Sequence, residues 1–101
     1  MRVISKKVLI DFWERYRDSE QQLKAWHDEA TNANWKSPND IKLFYRSASF
    51  VGNNRVIFNI AGNKYRLIIA VAYHFGAVYI KFIGTHKEYD RINAATVELE
   101  K

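Results

Sequence analysis

The sequence contains no cysteine, and its single proline is Pro38. The lack of cysteine excludes disulfide bonds and cysteine-ligated metal sites, and it gives no argument for secretion. No apolar run approaches the roughly 20 residues that a membrane-spanning helix needs. Acidic and aromatic residues begin at Asp11 and Phe12, too early for a signal peptide. We therefore expect a cytoplasmic protein that does not associate with a membrane.

Several common catalytic motifs are also missing from the sequence. It has no HxH, HExxH or carboxylate cluster that would indicate a metal site. It has no GxSxG nucleophile motif, no P-loop and no dinucleotide-binding glycine pattern. We therefore expect no metal and no cofactor.

What is present indicates one globular domain spanning residues 1–101. Hydrophobic residues make up 48% of the chain and aromatic residues 15%, which is typical of a folded protein rather than a disordered one. The net charge is +5. A basic balance favours a polyanionic partner such as nucleic acid, a ribosome or an acidic protein.

The first half of the chain has two helical patterns after a possible short strand at residues 1–4. Ser5 is positioned to cap the first helix, and Ser19 with Gln22 has the spacing of a capping box for the second. Ser37 followed by Pro38 predicts one further helical turn, and the residues after it read as a long loop. The apolar positions of the two main helices fall on one face of each: Val8, Leu9, Phe12, Trp13 and Tyr16, then Leu23, Trp26, Ala30 and Ala33.

The second half alternates with a period of two and predicts three strands, at residues 55–61, 64–73 and 78–84. Short turns join them, so we expect an antiparallel meander. A final helix is predicted from about Lys87 to Leu99. The fold class is thus α+β, with two N-terminal helices packed on one face of a small antiparallel sheet and a short C-terminal helix.

The sheet face away from the helices is the candidate working surface. One interpretation is an ordinary solvated face, where lysine and arginine are common. The other is a binding surface for an anion, because the face is basic and contains a tyrosine. Its polar residues are predicted to be Arg55, Asn59, Lys64, Arg66, Tyr79 and Lys81, and the loop before it adds Lys42 and Arg46.

The stretch GTHKEYD, residues 84–90, follows the last strand. Thr85 and Glu88 form a capping box, so part of this stretch is explained by helix initiation alone. His86 and Lys87 then occupy the first helical positions, where free N–H groups favour an anion. The helix dipole disfavours a cation there and so favours the neutral imidazole that a general base requires.

An imidazole, an ammonium group and a phenol together could cleave a phosphodiester. One group would remove the proton of a 2′-hydroxyl, cations would hold the phosphate, and an acid would protonate the leaving oxygen. A lone histidine is more often a surface or packed residue, which is the reading we favour for His27 and His74. Tyr89 is open to either interpretation, because it could also pack into the core with Ile92.

The stretches VIFNIAGNKYRLI, from Val56, and IKFIGTHKEYDRI, from Ile80, resemble signature stretches of the HigB-type toxins. These toxins belong to the RelE-like superfamily of type II toxin–antitoxin systems. The resemblance implies a RelE-like fold and metal-independent cleavage of mRNA in the ribosomal A site. It also implies a HigA-type antitoxin with a helix-turn-helix domain. The toxin itself would not bind operator DNA and would be brought to it only by this antitoxin.

The resemblance also implies roles for individual residues. Arg66 would be the principal phosphate-binding cation, with Lys64 assisting it, since a guanidinium can hold phosphate oxygens bidentately. His86 would be the acid/base, and Lys87 and Tyr89 would complete the site. Further RNA contacts would come from Lys81, Asn59 and Arg46.

Two other functions fit the same surface. A basic domain that binds RNA or the ribosome could block translation without cutting the message. A protein-interaction domain could use the basic face to bind an acidic partner.

Overall fold

The structure, a computed structural model, describes residues 1–99. Within these residues it has five strands and four helices, which follow one another along the chain as β1 Arg2–Ile4, α1 Lys6–Arg15, α2 Glu20–Asn32, α3 Pro38–Phe44, β2 Ser49–Val51, β3 Arg55–Ile60, β4 Tyr65–Ala72, β5 Ala77–Thr85 and α4 His86–Tyr89. Short 3₁₀ turns at Arg17–Ser19 and Tyr73–Phe75 connect neighbouring elements. The α+β class is confirmed, and no helix among these residues is long and apolar enough to span a membrane.

The sheet differs from the predicted meander at both of its edges. Its strand order is β1-β5-β4-β3-β2, and β1 pairs parallel to β5, so the sheet is mixed rather than antiparallel. The strand β2 lies in the segment predicted as a loop, and it pairs antiparallel to β3. The helix α3 has seven residues where one turn was predicted. The possible short strand at residues 1–4 is confirmed as β1, whereas its pairing with β5 and the strand β2 were not predicted, because three residues are too few to show a periodic pattern.

The main core lies between the helices α1–α3 and one face of the sheet. Leu9, Leu23 and Ile41 come from the three helices and are fully buried against Val56 and Leu67 of the sheet. Burying each such side chain contributes about 1.5–3 kcal/mol. The predicted helical faces are therefore confirmed as the faces that bind the sheet.

The second helix is fixed in place by Gln22 rather than capped by it. The Ser19 side chain makes no cap hydrogen bond to α2, and its hydroxyl instead donates to the Tyr16 carbonyl. The Gln22 side chain accepts a hydrogen bond from the backbone N–H of Ala61 at 2.6 Å and donates to the carbonyl of Asn59. The predicted capping box is wrong because a long-range contact with the β3–β4 turn competes for the glutamine amide.

A β-bulge in β5 reverses which residues face the core. Ile68 pairs with Phe82 and Ile69 pairs with Ile80, which leaves Lys81 as the extra residue. Leu67 of the core face is therefore opposite Ile83. The alternation in residues 78–84 predicts that Val78, Ile80 and Phe82 share the core face; this is wrong for Phe82, because simple alternation does not anticipate a bulge.

The C-terminal helix ends at Tyr89, well before the predicted end at Leu99. Residues 93–98 instead cross the sheet face that was predicted to be open. The guanidinium of Arg55 donates to the carbonyl oxygens of Ala94 and Val97 and to the carboxylate of Glu98. This segment, which was predicted to be helical, is thus bound to the sheet instead. Arg55, predicted on the exposed basic face, is consequently buried.

Candidate active site on the open sheet face

The remaining open part of this face lies where β4 begins, β5 ends and α4 begins. Thr85 is both the last residue of β5 and the N-cap of α4. Its hydroxyl accepts from the Glu88 N–H at 3.2 Å, and the Glu88 carboxylate accepts from the Thr85 N–H at 2.8 Å. The predicted capping box is thus confirmed, and it fixes His86 as the first helical residue.

The start of α4 is less available to an anion than its sequence suggests. The backbone N–H of His86 donates to the carbonyl of Lys64 at 2.9 Å, and that of Glu88 is used by the capping box. A helix of four residues also has a small dipole, because few peptide units add to it. Positive side chains, and not the helix start, must therefore provide the binding of a phosphate here.

Arg66 is the cation that is best placed to do so. It lies on β4 directly opposite Gly84 of β5, on the face away from the main core. One terminal nitrogen of its guanidinium donates to the carbonyls of Asn63 and Tyr65, at 3.1 and 3.2 Å. Among residues 1–99 no carboxylate forms a salt bridge with it, so its charge is not neutralised within the described chain.

Tyr89 lies beside this guanidinium and not in the main core. The Arg66 guanidinium carbon is 5.5 Å from the centre of the Tyr89 ring, a cation–π geometry. The ring of His86 lies edge-on to that of Tyr89, with 6.3 Å between their centres. Arg66, His86 and Tyr89 are therefore brought together from β4 and α4.

Asp90 is a fourth member of this group. Its carboxylate is 3.2 Å from Nδ1 of His86, one helical turn earlier in the chain. With a hydrogen on Nδ1, the imidazole donates to Asp90, and Nε2 keeps a free lone pair. In the sequence, an acid in the first turns of a helix is already explained by the helix dipole, which hides this role of Asp90. The i, i+4 spacing from His86 was the signal that could have revealed the pair.

The other basic residues predicted for the site differ in how free they are. Lys64 binds Asp18 at 2.7 Å and Lys81 binds Glu98 at 2.6 Å. Each of these contacts lowers the pKa of the carboxyl group, mainly through the lysine hydrogen bond. Lys87 is exposed on α4.

Asn59 and Arg46 were also predicted to contact RNA, and only one of them lies next to this cluster. Asn59 of β3 is paired directly with Arg66 across the sheet. Arg46 lies in the turn between α3 and β2, which is not part of β3, β4 or α4. The structure thus brings Asn59 to the candidate site and gives no such support for Arg46.

The cluster is an exposed surface and not an enclosed cavity. His86 has 50% of its side chain exposed and Asp90 59%. An open surface suits a polymeric substrate better than a small molecule, which is usually bound in a concave pocket. Within residues 1–99 no group of three or more His, Asp or Glu side chains could hold a metal ion.

Comparison with known proteins identifies the family. Residues 19–92 match the family model HigB_toxin, described as the RelE-like toxic component of a toxin–antitoxin system. The chain belongs to the HigB toxin family. The matched region includes α2, α3, the strands β2–β5 and α4, and with them every residue of the cluster.

Curated relatives agree with this membership over nearly the full chain. The chain is 29% identical over 96 residues to a protein of Escherichia coli K12 named mRNA interferase toxin HigB. It has the same identity to proteins of Escherichia coli O157:H7 and Shigella flexneri named mRNA interferase HigB. Each alignment covers 93% of this chain and 92% of the relative.

Proposed function

We propose that this HigB family member is the toxin of a type II toxin–antitoxin system and acts as an endoribonuclease on mRNA. The family description and the names of the curated relatives support this function. The structural observation that carries it is Arg66, an unneutralised guanidinium beside Tyr89 and the His86–Asp90 pair. A net charge of +5 fits a polyanionic substrate.

The reaction that fits these groups is attack by the 2′-hydroxyl of the RNA on the adjacent phosphorus. His86 takes the hydroxyl proton through Nε2, while a bond forms between the 2′-oxygen and phosphorus. The bond from phosphorus to the 5′-oxygen breaks, and that oxygen receives a proton. The products are a 2′,3′-cyclic phosphate and a 5′-hydroxyl end. Proton transfer of this kind contributes about 10²–10⁴-fold to a rate.

Arg66 stabilises the negative charge that develops on the phosphate oxygens. The nitrogens of its guanidinium that are not bound to Asn63 and Tyr65 can donate to two oxygens at once. Tyr89 and Lys87 are the two candidates for the second proton transfer. Tyr89→Phe distinguishes them, because it removes the hydroxyl and keeps the ring that Arg66 contacts.

The surrounding residues would bind the RNA on either side of the cleaved bond. Lys64 and Lys81 can do so by exchanging the carboxylates of Asp18 and Glu98 for phosphate groups. Asn59 is a neighbour of Arg66 and can donate to the RNA, and Arg46 would contact it further away. The substrate would be mRNA in the ribosomal A site, and the partner would be a HigA-type helix-turn-helix antitoxin that also brings the toxin to operator DNA.

Induced expression of variants tests the catalytic assignment. Arg66→Ala and His86→Ala should each abolish growth arrest, and sequencing of RNA ends should find no breaks in translated messages. Arg15→Ala is a matched control, because Arg15 also lies 5.5 Å from a tyrosine ring but on α1, in the helix layer.

The assignment fails if both variants arrest growth and cleave as the unmodified protein does. A protein that arrests growth while mRNA remains intact would instead be the basic domain that blocks translation by binding.

A further inference from the structure

A groove in the helix layer lies away from the Arg66 cluster. It is a groove of about 530 Å³ between the end of α2 and α3. Its volume falls within the range of about 300–1,000 Å³ that is typical of binding pockets. The wall consists of five apolar or aromatic side chains, two asparagines and two acids, namely Ala33, Trp35, Leu43, Phe44 and Tyr45, then Asn32 and Asn34, then Glu29 and Asp40.

Two large apolar side chains of α3 are exposed at the rim of this groove. They are the consecutive residues Leu43, which is 70% exposed, and Phe44, which is 82% exposed. They line the groove together with Trp35, which is itself buried. Large apolar side chains that surround a concave surface are typical of a site that binds another protein.

The charge of the groove is opposite to that of the chain. Its two carboxylic acids are Glu29 and Asp40, and no lysine, arginine or histidine among residues 1–99 lines it, although the net charge of the protein is +5. The amino group of Met1, at the α2 end, is bound to the carbonyl oxygens of Thr31 and Ala33. Carboxylates in the wall disfavour an RNA phosphate and favour a ligand that carries lysine or arginine.

The groove and the Arg66 cluster lie on opposite faces of the sheet. Tyr45, in the groove wall, packs against Phe58 of the core face with 5.0 Å between ring centres. Arg66 lies on the face that is turned away from this core. A ligand in the groove would therefore leave Arg66, His86 and Tyr89 uncovered.

From these observations we propose that the α2–α3 groove is a docking site for a partner polypeptide. The docked segment inserts an apolar side chain against Phe44 and places a lysine or arginine next to Glu29 and Asp40. The identification of this partner as the antitoxin rests on the proposed function. Contact through the groove would anchor the antitoxin without itself covering the catalytic residues.

The antitoxin of such a system is encoded next to the toxin, so the protein encoded by the reading frame adjacent to this gene is the partner to purify. Its binding to this protein tests the groove directly. Calorimetric titration should show Phe44→Glu weakening its affinity about tenfold or more, which is typical of a central interface residue. Phe44→Lys should weaken it further, because the new cation repels the basic segment. Phe75→Glu should bind normally, since Phe75 is also 82% exposed but lies in the β4–β5 turn.

Three results would overturn the proposal. One is normal binding of the adjacent-frame protein by both Phe44 variants, and another is no binding of that protein by the unmodified chain. The third is a dimer of the unmodified chain that Phe44→Glu dissociates in sedimentation, since a second copy would then occupy the groove. Because Phe44 is exposed, its variants should keep the normal melting temperature.

Growth assays separate this proposal from the proposed function. Phe44→Lys should arrest growth when expressed alone, and co-expression of the adjacent-frame protein should no longer relieve the arrest. If the unmodified chain cleaves no RNA, the proposed function fails while the titration still decides the groove. If it cleaves RNA but Phe44→Lys remains fully neutralised, the groove proposal fails and the nuclease stands.

Discussion

Adding one methyl group at Gly84 should destabilise the protein and distort the candidate site. A Cβ at this position would lie 2.5 Å from Cζ of Phe82 and 3.0 Å from Oε1 of Glu88, the carboxylate of the capping box. Carbon atoms pack at about 3.5–4.0 Å, so the ring would have to move by roughly 1 Å. Overpacking of this kind costs about 1–3 kcal/mol. Arg66 is paired directly with Gly84, so its position should change too.

Thermal unfolding of Gly84→Ala measures this effect. For a domain of about 100 residues, a loss of 1 kcal/mol lowers the melting temperature by about 4–8 °C. Gly52→Ala is the matched control, because a Cβ at Gly52 would have no atom within 4 Å, and its stability should change by no more than about 0.5 kcal/mol.

A double mutant locates the origin of the strain. Phe82→Leu removes the ring atoms that a Cβ at Gly84 would meet, so Gly84→Ala should cost clearly less in that background. Without a clash, alanine in a strand is favoured over glycine by about 0.5–1 kcal/mol. A Gly84→Ala protein that melts at or above the normal temperature would therefore refute the close packing of Phe82 against Gly84.

Three further predictions concern stability and catalysis. Arg55→Ala should lower the free energy of unfolding by about 2–3 kcal/mol, because it removes the hydrogen bonds that hold residues 93–98; urea denaturation measures this, and an unchanged midpoint would contradict it. Tyr65 donates to Asp18, which raises the pKa of its phenol to about 12. From neutral pH up to about pH 10 this hydrogen bond should stabilise the protein fully, and the effect should be lost as the pH rises to about 12, so the stability difference from Tyr65→Phe should vanish over that range. Asp90→Asn should slow RNA cleavage by about tenfold or more, since an amide can donate to Nδ1 of His86 and hold the wrong tautomer; unchanged cleavage rates at all pH values would exclude this role.

Local signals in the sequence predicted the parts of the fold that depend on local interactions. Thr85 and Glu88 form the predicted capping box because both partners lie within one helical turn. The alternation in β3 and β4 also indicated the correct core face, since these strands pair without interruption. The placement of His86 at the start of α4 followed from the capping box.

Long-range contacts account for what could not be predicted. Arg55 binds carbonyls about 40 residues later in the chain, in the segment that was expected to be helical up to Leu99. The bulge at Lys81 changes the face of Phe82, and nothing in an alternating pattern reveals an extra residue. Gln22 likewise bonds to the β3–β4 turn instead of capping α2.

The chemistry of the RNA ends tests the central claim most directly. Translating ribosomes with a defined mRNA would be mixed with the purified protein, and the ends of the fragments would be analysed. We expect 2′,3′-cyclic phosphates and 5′-hydroxyl ends that require phosphorylation before ligation. The Arg66→Ala and His86→Ala proteins should produce no fragments, whereas Arg15→Ala should cleave normally. Intact mRNA, or fragments with 5′-phosphate ends, would contradict cleavage by a 2′-hydroxyl activated at His86 and a phosphate held by Arg66.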